Sequence, residues 1–258
     1  MNAIPIGLQM FTLHEESSKD FVGTLKKVAE IGYQGVEFAG YGDLTAKELK
    51  KVLDDLELKA ASSHVPLTTL ELDLELDQVI EYQHEIGSKH LVCPFLLPNR
   101  RREQDYDDLI PILNRIGKKC YEEGITFVYH NHDFELVPLS NGKKPLELLF
   151  EETNPEWVQT ELDIYWLTRA GEDPAEWVKR YNNRTPLIHL KDMTTDGEKF
   201  FAELGTGGVD LDGVLRQGSE SNTKWWIVEQ DQSKRSPFES IQISFDYLQA
   251  KLVNESIS

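Results

Sequence analysis

The chain has 258 residues, 40% of them hydrophobic and 28% charged, and its 27 basic and 45 acidic side chains give a formal net charge of −18. This length suits one large α/β barrel or two smaller domains. A chain with this negative net charge has no overall electrostatic attraction to the phosphates of a nucleic acid, and we predict no nucleic-acid partner. Because no stretch approaches about 18 apolar residues and no secretion signal is present, we also predict a cytoplasmic protein with no membrane partner.

Along the chain, apolar runs typical of buried strands alternate with segments of helical periodicity. The predicted strands are 4–10, 35–38, 59–64, 90–93, one within 124–135, 157–163, 186–190 and 224–229. The predicted helices are 21–31, 45–56, 76–86, 106–123, 145–152, one starting at 173–174, 210–216 and 237–253. Gly32 and Gly87 are predicted to end two of these helices, and Thr45 with Glu48 forms a capping-box pattern at the start of another.

Eight strand–helix units in about 250 residues are the expected size of a closed barrel. The main competitor is a doubly wound open sheet, which usually carries a glycine-rich fingerprint after its first strand. Here the first strand runs into Gln9-Met10-Phe11-Thr12, which lacks that fingerprint. We therefore predict an α/β fold, a single (β/α)8 TIM barrel, with one domain over residues 1–258.

Histidines or carboxylates stand at the ends of six of the eight predicted strands, where a parallel barrel places its active site. They are Glu37, His64, His130 with His132, Glu161 with Asp163, His189 with Asp192, and Glu229 with Asp231. His130 and His132 are two residues apart and therefore point to the same side if the strand continues. Six strands that end in such residues are stronger evidence for an active site than any single residue.

Three of these residues, Asp163, His189 and Glu229, come from neighbouring strands, and His130 would complete an arc around a metal ion. Two imidazoles and two carboxylates without a thiolate suit Mn²⁺, Zn²⁺, Co²⁺ or Fe²⁺ better than Ca²⁺. We therefore predict a divalent metal cofactor bound by His130, Asp163, His189 and Glu229. Cys93 and Cys120 match no zinc-binding pattern.

Several motifs resemble those of the sugar phosphate isomerase/epimerase family, the xylose isomerase-like TIM barrels that include endonuclease IV relatives. They follow the family's order along nearly the whole chain: 6–13, 35–40, Tyr129-His130-Asn131-His132-Asp133-Phe134-Glu135, Asp163-Ile164-Tyr165-Trp166, Ile188-His189-Leu190-Lys191-Asp192, 204–210 and Val228-Glu229-Gln230-Asp231. The resemblance implies a metal-dependent enzyme acting on a small-molecule carbohydrate.

The chain departs from this family at two positions. Where relatives usually carry a metal-binding Glu on the fifth strand, this chain has His130, so that position binds metal or serves as acid–base catalyst. Trp166 stands where many relatives have a further His, which argues against the multi-zinc site of the endonuclease branch. DNA repair is therefore the weakest hypothesis.

The resemblance implies proton transfer next to a carbonyl, with the metal polarising the carbonyl. We assign catalytic roles to Glu229, His130, His132 and Lys191, although Lys191 equally suits a salt bridge. We assign substrate binding to His64, Glu37, Gln9 and Trp166. The glycine-rich segment 205–208 is interpreted as a loop that shapes the site rather than as a phosphate site.

The leading hypothesis is a metal-dependent isomerase or epimerase acting on a sugar, keto-sugar or cyclitol. A lyase or dehydratase on a 3-keto sugar is the alternative in the same site, since an enolate can be reprotonated or can expel a β-substituent. A non-catalytic sugar-binding barrel is the rival from another class. A homo-oligomer is compatible with the sequence.

Overall fold

The computed structural model describes residues 4–255, with side chains described through Val253, so both ends of the predicted domain 1–258 lie outside the described residues. Its strands are β1 Ile6–Gln9, β2 Gly35–Phe38, β3 Lys59–His64, β4 His90–Cys93, β5 Thr126–His130, β6 Val158–Asp163, β7 Leu187–Leu190, β8 Asp192–Met193, β9 Phe201–Ala202 and β10 Trp225–Val228. Eight of them form a closed parallel barrel in the order β1-β10-β7-β6-β5-β4-β3-β2. The predicted (β/α)8 TIM barrel is confirmed.

Helices follow the barrel strands and cover the outside of the barrel. They are α1 His14–Lys19, α2 Phe21–Ile31, α3 Ala46–Asp55, α4 Leu67–Leu70, α5 Asp73–Ile86, α6 Glu103–Glu122, α7 Pro145–Glu152, α8 Ile164–Arg169, α9 Pro174–Arg180, α10 Leu211–Ser219 and α11 Pro237–Glu255. Short 3₁₀ turns occur at Met10–Leu13, Pro98–Arg100 and Phe134–Leu136. None of the helices in residues 4–255 is both long enough and apolar enough to cross a membrane.

The predicted helix boundaries hold where the sequence carries a cap. Thr45 and Glu48 form the expected capping box at the start of α3. Gly32 and Gly87 end α2 and α5 with φ angles of 116° and 79°, a left-handed backbone that glycine adopts without steric cost.

Other boundaries differ because they lack such signals. The first strand starts at Ile6 rather than residue 4, and α5 starts at Asp73, three residues before the predicted start. The short helices α1 and α8 and the antiparallel pair β8–β9 were not predicted. A helix of six residues makes fewer than two turns and a strand of two residues makes no alternation, so neither shows a periodicity in the sequence.

A β-bulge in β3 adjusts the barrel next to the candidate site. Val36 pairs with Ala60 whereas Glu37 pairs with Ser62, so Ala61 is the extra residue. The ring nitrogen Nδ1 of His90 lies 2.9 Å from the Ala61 carbonyl and donates to it. The bulge therefore brings Glu37 opposite Ser62, which donates a hydrogen bond to the Glu37 carboxylate.

A small apolar cluster fills the barrel beneath the polar strand ends. Val92, Val128 and Leu187 are fully buried and pack with the partly buried Trp225. Val128 and Leu187 precede His130 and His189 by two residues, so each pair points to the same face of its strand. The strands thus change from apolar to polar side chains toward their carboxyl ends.

Candidate active site

A cavity of about 660 Å³ opens at the carboxyl ends of the barrel strands. Its lining residues are Phe11, Ala39, Gly40, Tyr41, His64, Val65, Pro66, Thr69, Val79, Pro94, Phe95, His130, His132, Lys191, Glu229 and Asp231. This is the position at which TIM barrels place their active sites. The predicted residues His64, His130, His132, Lys191 and Glu229 all line it.

Two buried carboxylates organise the imidazoles under the cavity. Glu37 Oε1 lies 2.6 Å from His189 Nε2 and 2.9 Å from His64 Nε2, while Glu161 Oε2 lies 2.9 Å from His64 Nε2 and 2.8 Å from His130 Nδ1. Although burial alone would raise the pKa of Glu37, the two histidines hold it well below its usual range. Burial alone would lower the pKa of His64, but Glu37 and Glu161 raise it to about 9.

Each of two histidines bonds an outer carboxylate, that of Glu37 or Glu161, through one ring nitrogen. Its other ring nitrogen faces an inner carboxylate, that of Asp163 or Glu229. His189 Nε2 bonds Glu37, and His189 Nδ1 lies 2.9 Å from Glu229 Oε2 and 3.8 Å from Asp163 Oδ2. His130 Nδ1 bonds Glu161, and its Nε2 lies 3.7 Å from Asp163 Oδ2. Metal-binding histidines typically show this arrangement, in which an outer carboxylate fixes the ring.

Asp163 is held by the helix that follows it. Its Oδ1 accepts hydrogen bonds from the backbone N–H groups of Tyr165 and Trp166, at 3.0 and 3.1 Å, and so caps α8. Its Oδ2 is left to face His130, His189 and Lys191. Burial raises the pKa of Asp163 to about 6, against the opposing charges of Lys191 and His189.

Lys191 forms a buried cationic centre among three carboxylates. Its Nζ lies 2.9 Å from Asp163 Oδ2, 2.6 Å from Glu229 Oε2 and 2.7 Å from Asp231 Oδ1. Burial alone would raise the pKa of Glu229, but Lys191 and His189 hold it well below its usual range. The salt bridge that the sequence allowed for Lys191 is therefore present, and the side chain lines the cavity as well.

Two groups of side chains have the spacing of metal ligands. The ligand atoms of Asp163, His189 and Glu229 lie within 4.8 Å of one another, and so do those of a second group formed by His64, His130, Glu161 and His189. The structure thus places three of the four predicted ligands together and His130 beside them, in the second group.

The donor set and its charge fit a divalent cation. Glu161 is fully buried, and its Oε1 accepts no hydrogen bond from any described residue. Five carboxylates lie in this cluster, those of Glu37, Glu161, Asp163, Glu229 and Asp231. Three basic groups whose pKa values are raised, those of Lys191, His64 and His189, balance them only in part, which leaves negative charge for a cation to balance. Because metal ligands must be deprotonated, binding there would release protons from the histidines.

His132 lies in an aromatic wall at the cavity. Its ring stacks on Phe134 at 5.5 Å and meets Phe95 edge-on at 5.1 Å, with Trp166 at 5.3 Å. Burial, together with the charge of Lys191, lowers the pKa of His132 to about 3. The imidazole is therefore neutral at pH 7.

Glu135 fixes the backbone that carries His132. Its Oε2 accepts a hydrogen bond from the His132 backbone N–H at 2.8 Å, and its Oε1 accepts one from the Tyr129 hydroxyl at 2.8 Å. Burial raises the pKa of the fully buried Glu135 to about 7, against these hydrogen bonds. Glu135 is thus a positioning residue beneath the cavity.

The glycine-rich loop after β9 is filled by a carboxylate of the chain itself. Asp192 Oδ2 accepts hydrogen bonds from Gly205 N and Gly207 N at 3.0 and 2.9 Å, and Oδ1 accepts from Val209 N at 3.0 Å. A Cβ on Gly207 would lie 2.3 Å from this carboxylate. The loop therefore offers these N–H groups to Asp192 rather than to a substrate phosphate.

Three predicted substrate-binding residues lie away from the cavity surface. Gln9 and Glu37 are fully buried and bonded to each other, with Gln9 Nε2 2.6 Å from Glu37 Oε1. Trp166 lies behind His132, and its ring is 5.7 Å from Lys191 Nζ. Within the described part of the chain, none of the three is among the lining residues.

Two site residues were overlooked in the assignment of roles from sequence. Glu161 connects three histidines, and it precedes Asp163 by two residues, the spacing that puts both side chains on one face of a strand. Asp231 bears the same relation to Glu229 and pairs with Lys191. Both signals were present as alternation at a strand end.

The closed barrel, with a buried carboxylate–histidine cluster at the carboxyl ends of its strands that could hold a metal ion, defines the class of protein. Residues 25–251 match the model of the family described as xylose isomerase-like TIM barrel, and the chain belongs to this family. The comparisons also identify the chain as an enzyme.

Individual relatives cover nearly the whole chain. Inosose dehydratase of Bacillus cereus (strain AH820) is 26% identical, and the match covers 90% of this chain and 89% of the relative. A crystal structure of a sugar phosphate isomerase/epimerase from Parabacteroides distasonis is 27% identical, with a TM-score of 0.81 and 97% of each chain covered. An L-ribulose 3-epimerase, 14% identical with a TM-score of 0.75 over 97% of this chain and 95% of its own, shares the fold.

Proposed function

We propose that the chain is a metal-dependent isomerase or epimerase that acts on a sugar, keto-sugar or cyclitol by proton transfer next to a carbonyl. The observation that carries this proposal is the convergence of Asp163, His189 and Glu229 beside a cavity that His132 also lines. The sugar-processing relatives support a carbohydrate as the substrate.

Asp163, His189 and Glu229 would hold the divalent metal, Mn²⁺, Zn²⁺, Co²⁺ or Fe²⁺, with His130 as a fourth ligand through Nε2. His130 suits this role because its Nδ1 is already bonded to Glu161. The metal supplies Lewis-acid polarisation of a substrate carbonyl. Glu37 and Glu161 fix the two imidazoles from outside.

The proton-transfer groups are Glu229 and His132, both of which line the cavity. At pH 7 His132 is neutral, and Glu229 is ionised because Lys191 and His189 hold its pKa well below its usual range. An epimerase needs one group that removes the proton and another that returns one. Since neither group carries a proton at pH 7, the returned proton comes from solvent through the second group, and the proton removed from the substrate leaves to solvent from the first. Lys191 stabilises negative charge that develops on the substrate oxygen by Coulomb attraction, which needs no free N–H group.

Proton NMR in D₂O tests the proposal directly. The protein, freed of metal with EDTA and reloaded with Mn²⁺, is incubated with unphosphorylated keto-hexoses and a keto-cyclitol. We expect deuterium to replace the proton next to the carbonyl and a new stereoisomer to appear. Replacement of His132 by Gln should slow this exchange by about 10²–10⁴-fold, the range of general acid–base catalysis.

His84→Gln, at an exposed position on α5, is the matched control and should exchange at the wild-type rate. If none of these ketones exchanges its proton with the metal-loaded protein, or if His132→Gln exchanges as fast as wild type, the proposal is wrong.

A dehydratase acting on a keto-cyclitol or a 3-keto sugar is the second candidate, favoured by the curated relatives, which are inosose dehydratases. The first proton transfer is shared. The enolate then expels the β-hydroxyl, which leaves as water with the proton that the base removed, instead of being reprotonated at carbon. The same NMR experiment separates the two, since elimination of water gives an enone with vinylic signals and epimerisation does not.

A further inference from the structure

We propose that the cavity contains a second, apolar subsite and that the substrate is an uncharged keto-sugar or keto-cyclitol that carries an apolar substituent. That the substrate is a keto-sugar or keto-cyclitol rests on the proposed function, whereas the apolar subsite rests on the cavity walls alone. The polar and the apolar lining residues of the cavity come from different parts of the chain.

Residues at the end of β5 and after β5, β7 and β10 give the cavity its acid–base groups: His130, His132, Lys191, Glu229 and Asp231. The segments after β2, β3 and β4, together with α5, give it a wall that is almost entirely apolar: Ala39, Tyr41, Val65, Pro66, Val79 and Phe95. His64 is the exception, since it ends β3 but belongs to the polar half. A sugar ring placed over the polar groups therefore has the apolar wall on one side.

The apolar wall presents ring faces whose polar atoms are already bonded. The Tyr41 hydroxyl accepts a hydrogen bond from Gln83 Nε2 at 2.9 Å, and the Tyr41 ring stacks on Tyr82 at 4.2 Å. Phe95 is 39% exposed, and the Arg101 guanidinium lies 4.4 Å from its ring centre. An apolar group bound there would cover side chains that are otherwise left facing water.

The wall continues into a second cavity of about 190 Å³. Pro66, Pro94 and Phe95 line both cavities, and Leu67, Thr68 and Leu97 extend the smaller one. Arg100 also lines the smaller cavity, where its guanidinium is paired with Glu71 at 2.9 Å. The larger cavity, at about 660 Å³, already falls in the range of roughly 300–1,000 Å³ in which proteins bind drug-sized ligands. The space is therefore suited to a sugar joined to a second group.

A phosphate group on the substrate would find little to bind. Of the described residues that line the larger cavity, Lys191 is the sole lysine or arginine, and three carboxylates already surround it. The glycine-rich loop bonds its own Asp192. A phosphate beside Glu229 and Asp231 would also meet like charge.

Titration calorimetry with three forms of one 3-keto-hexose tests the proposal: the methyl glycoside, the phenyl glycoside and the methyl glycoside 6-phosphate. We expect the phenyl glycoside to bind about 30-fold more tightly than the methyl glycoside, which is what about 2 kcal/mol of apolar burial gives. The phosphate should bind at least tenfold more weakly than its uncharged parent.

Variants at Thr69, a partly buried lining residue on α4, locate the subsite. Thr69→Asp places a charge in the apolar wall and should abolish the phenyl advantage while the methyl glycoside binds as before. Thr69→Val has nearly the same shape without the hydroxyl and should keep or increase the advantage. Equal melting temperatures of the two variants would show that both remain folded.

Equal affinities for the phenyl and methyl glycosides, or a phenyl advantage that survives in Thr69→Asp, would overturn the subsite. Tighter binding of the phosphate would overturn the uncharged substrate. These results are separate from the fate of the proposed function. Turnover without a phenyl advantage sinks only the subsite, and a phenyl advantage without proton exchange in any ketone sinks only the proposed chemistry.

Discussion

Replacement of Glu135 by Gln should make the protein more stable at alkaline pH and leave it nearly unchanged at acidic pH. Burial raises the pKa of Glu135 from its usual 4.5 to about 7. Because the folded-state pKa is raised, the stability associated with this carboxyl is fully present below pH 4.5 and is lost as the pH rises through 7. At 1.36 kcal/mol per pKa unit, the whole effect is about 3 kcal/mol.

Most of this loss, about 2 kcal/mol, falls between pH 5.5 and 8. Glutamine keeps both contacts, since its oxygen accepts from the His132 N–H and its amide donates to the Tyr129 hydroxyl oxygen. Urea unfolding of both proteins at several pH values measures the difference in the free energy of unfolding. We expect the variant's advantage to grow with pH by about 2 kcal/mol over this range.

Tyr129→Phe provides a control of opposite sign. It removes the hydroxyl that donates to Glu135 Oε1, so it leaves a buried carboxylate oxygen unpaired at high pH. Its destabilisation should therefore increase with pH, whereas Glu135→Gln should go from nearly neutral at acidic pH to stabilising at alkaline pH. If wild type and Glu135→Gln gave parallel curves of unfolding free energy against pH, Glu135 would be ionised throughout and the argument would fail.

Three further predictions concern the buried charges. Asp163→Asn should keep the cap on α8 and the melting temperature but weaken metal binding by about 10–100-fold or more. Elemental analysis after dialysis measures the bound metal, and full metal content in the variant would show that Asp163 is not a ligand. Lys191→Met should lower the free energy of unfolding by about 3–5 kcal/mol, because three buried carboxylates lose their cation; an unchanged urea midpoint would contradict this. Asp192→Ala should cost about 3 kcal/mol through unpaired N–H groups, and a loss under 1 kcal/mol would contradict it.

The barrel was predictable from the sequence because its strands are short apolar runs, its longer helices are periodic, and residues that end helices separate the two. Gly32 and Gly87 end their helices as expected, and the capping box at Thr45 forms. The helix α8 was not predictable from periodicity, since it spans six residues and begins where Asp163 caps it. Asp163 was identified from the sequence as a candidate metal ligand, and its second role as the cap of α8 was therefore missed.

The sequence showed which strand ends carry the site residues, but it did not show which of these residues contact one another. The sequence pointed to Asp163, His189 and Glu229 as one group, and the structure places their ligand atoms within 4.8 Å of one another. It could not show that Glu161 binds three imidazoles, because those contacts join residues up to 97 positions apart. Which residues reach the cavity surface likewise depends on the barrel geometry, so the burial of Gln9 was not visible in its position at a strand end.

The division of the cavity between the two halves of the chain has a consequence for how this enzyme could change over time. Residues after β2, β3 and β4 form the apolar wall, and the buried charges that they approach are held mostly by other strands. Insertions or exchanges in those three loops could therefore alter which molecules are accepted while the reaction itself is kept. A library confined to 39–41, 65–69 and 94–97 would be the economical route to new substrates.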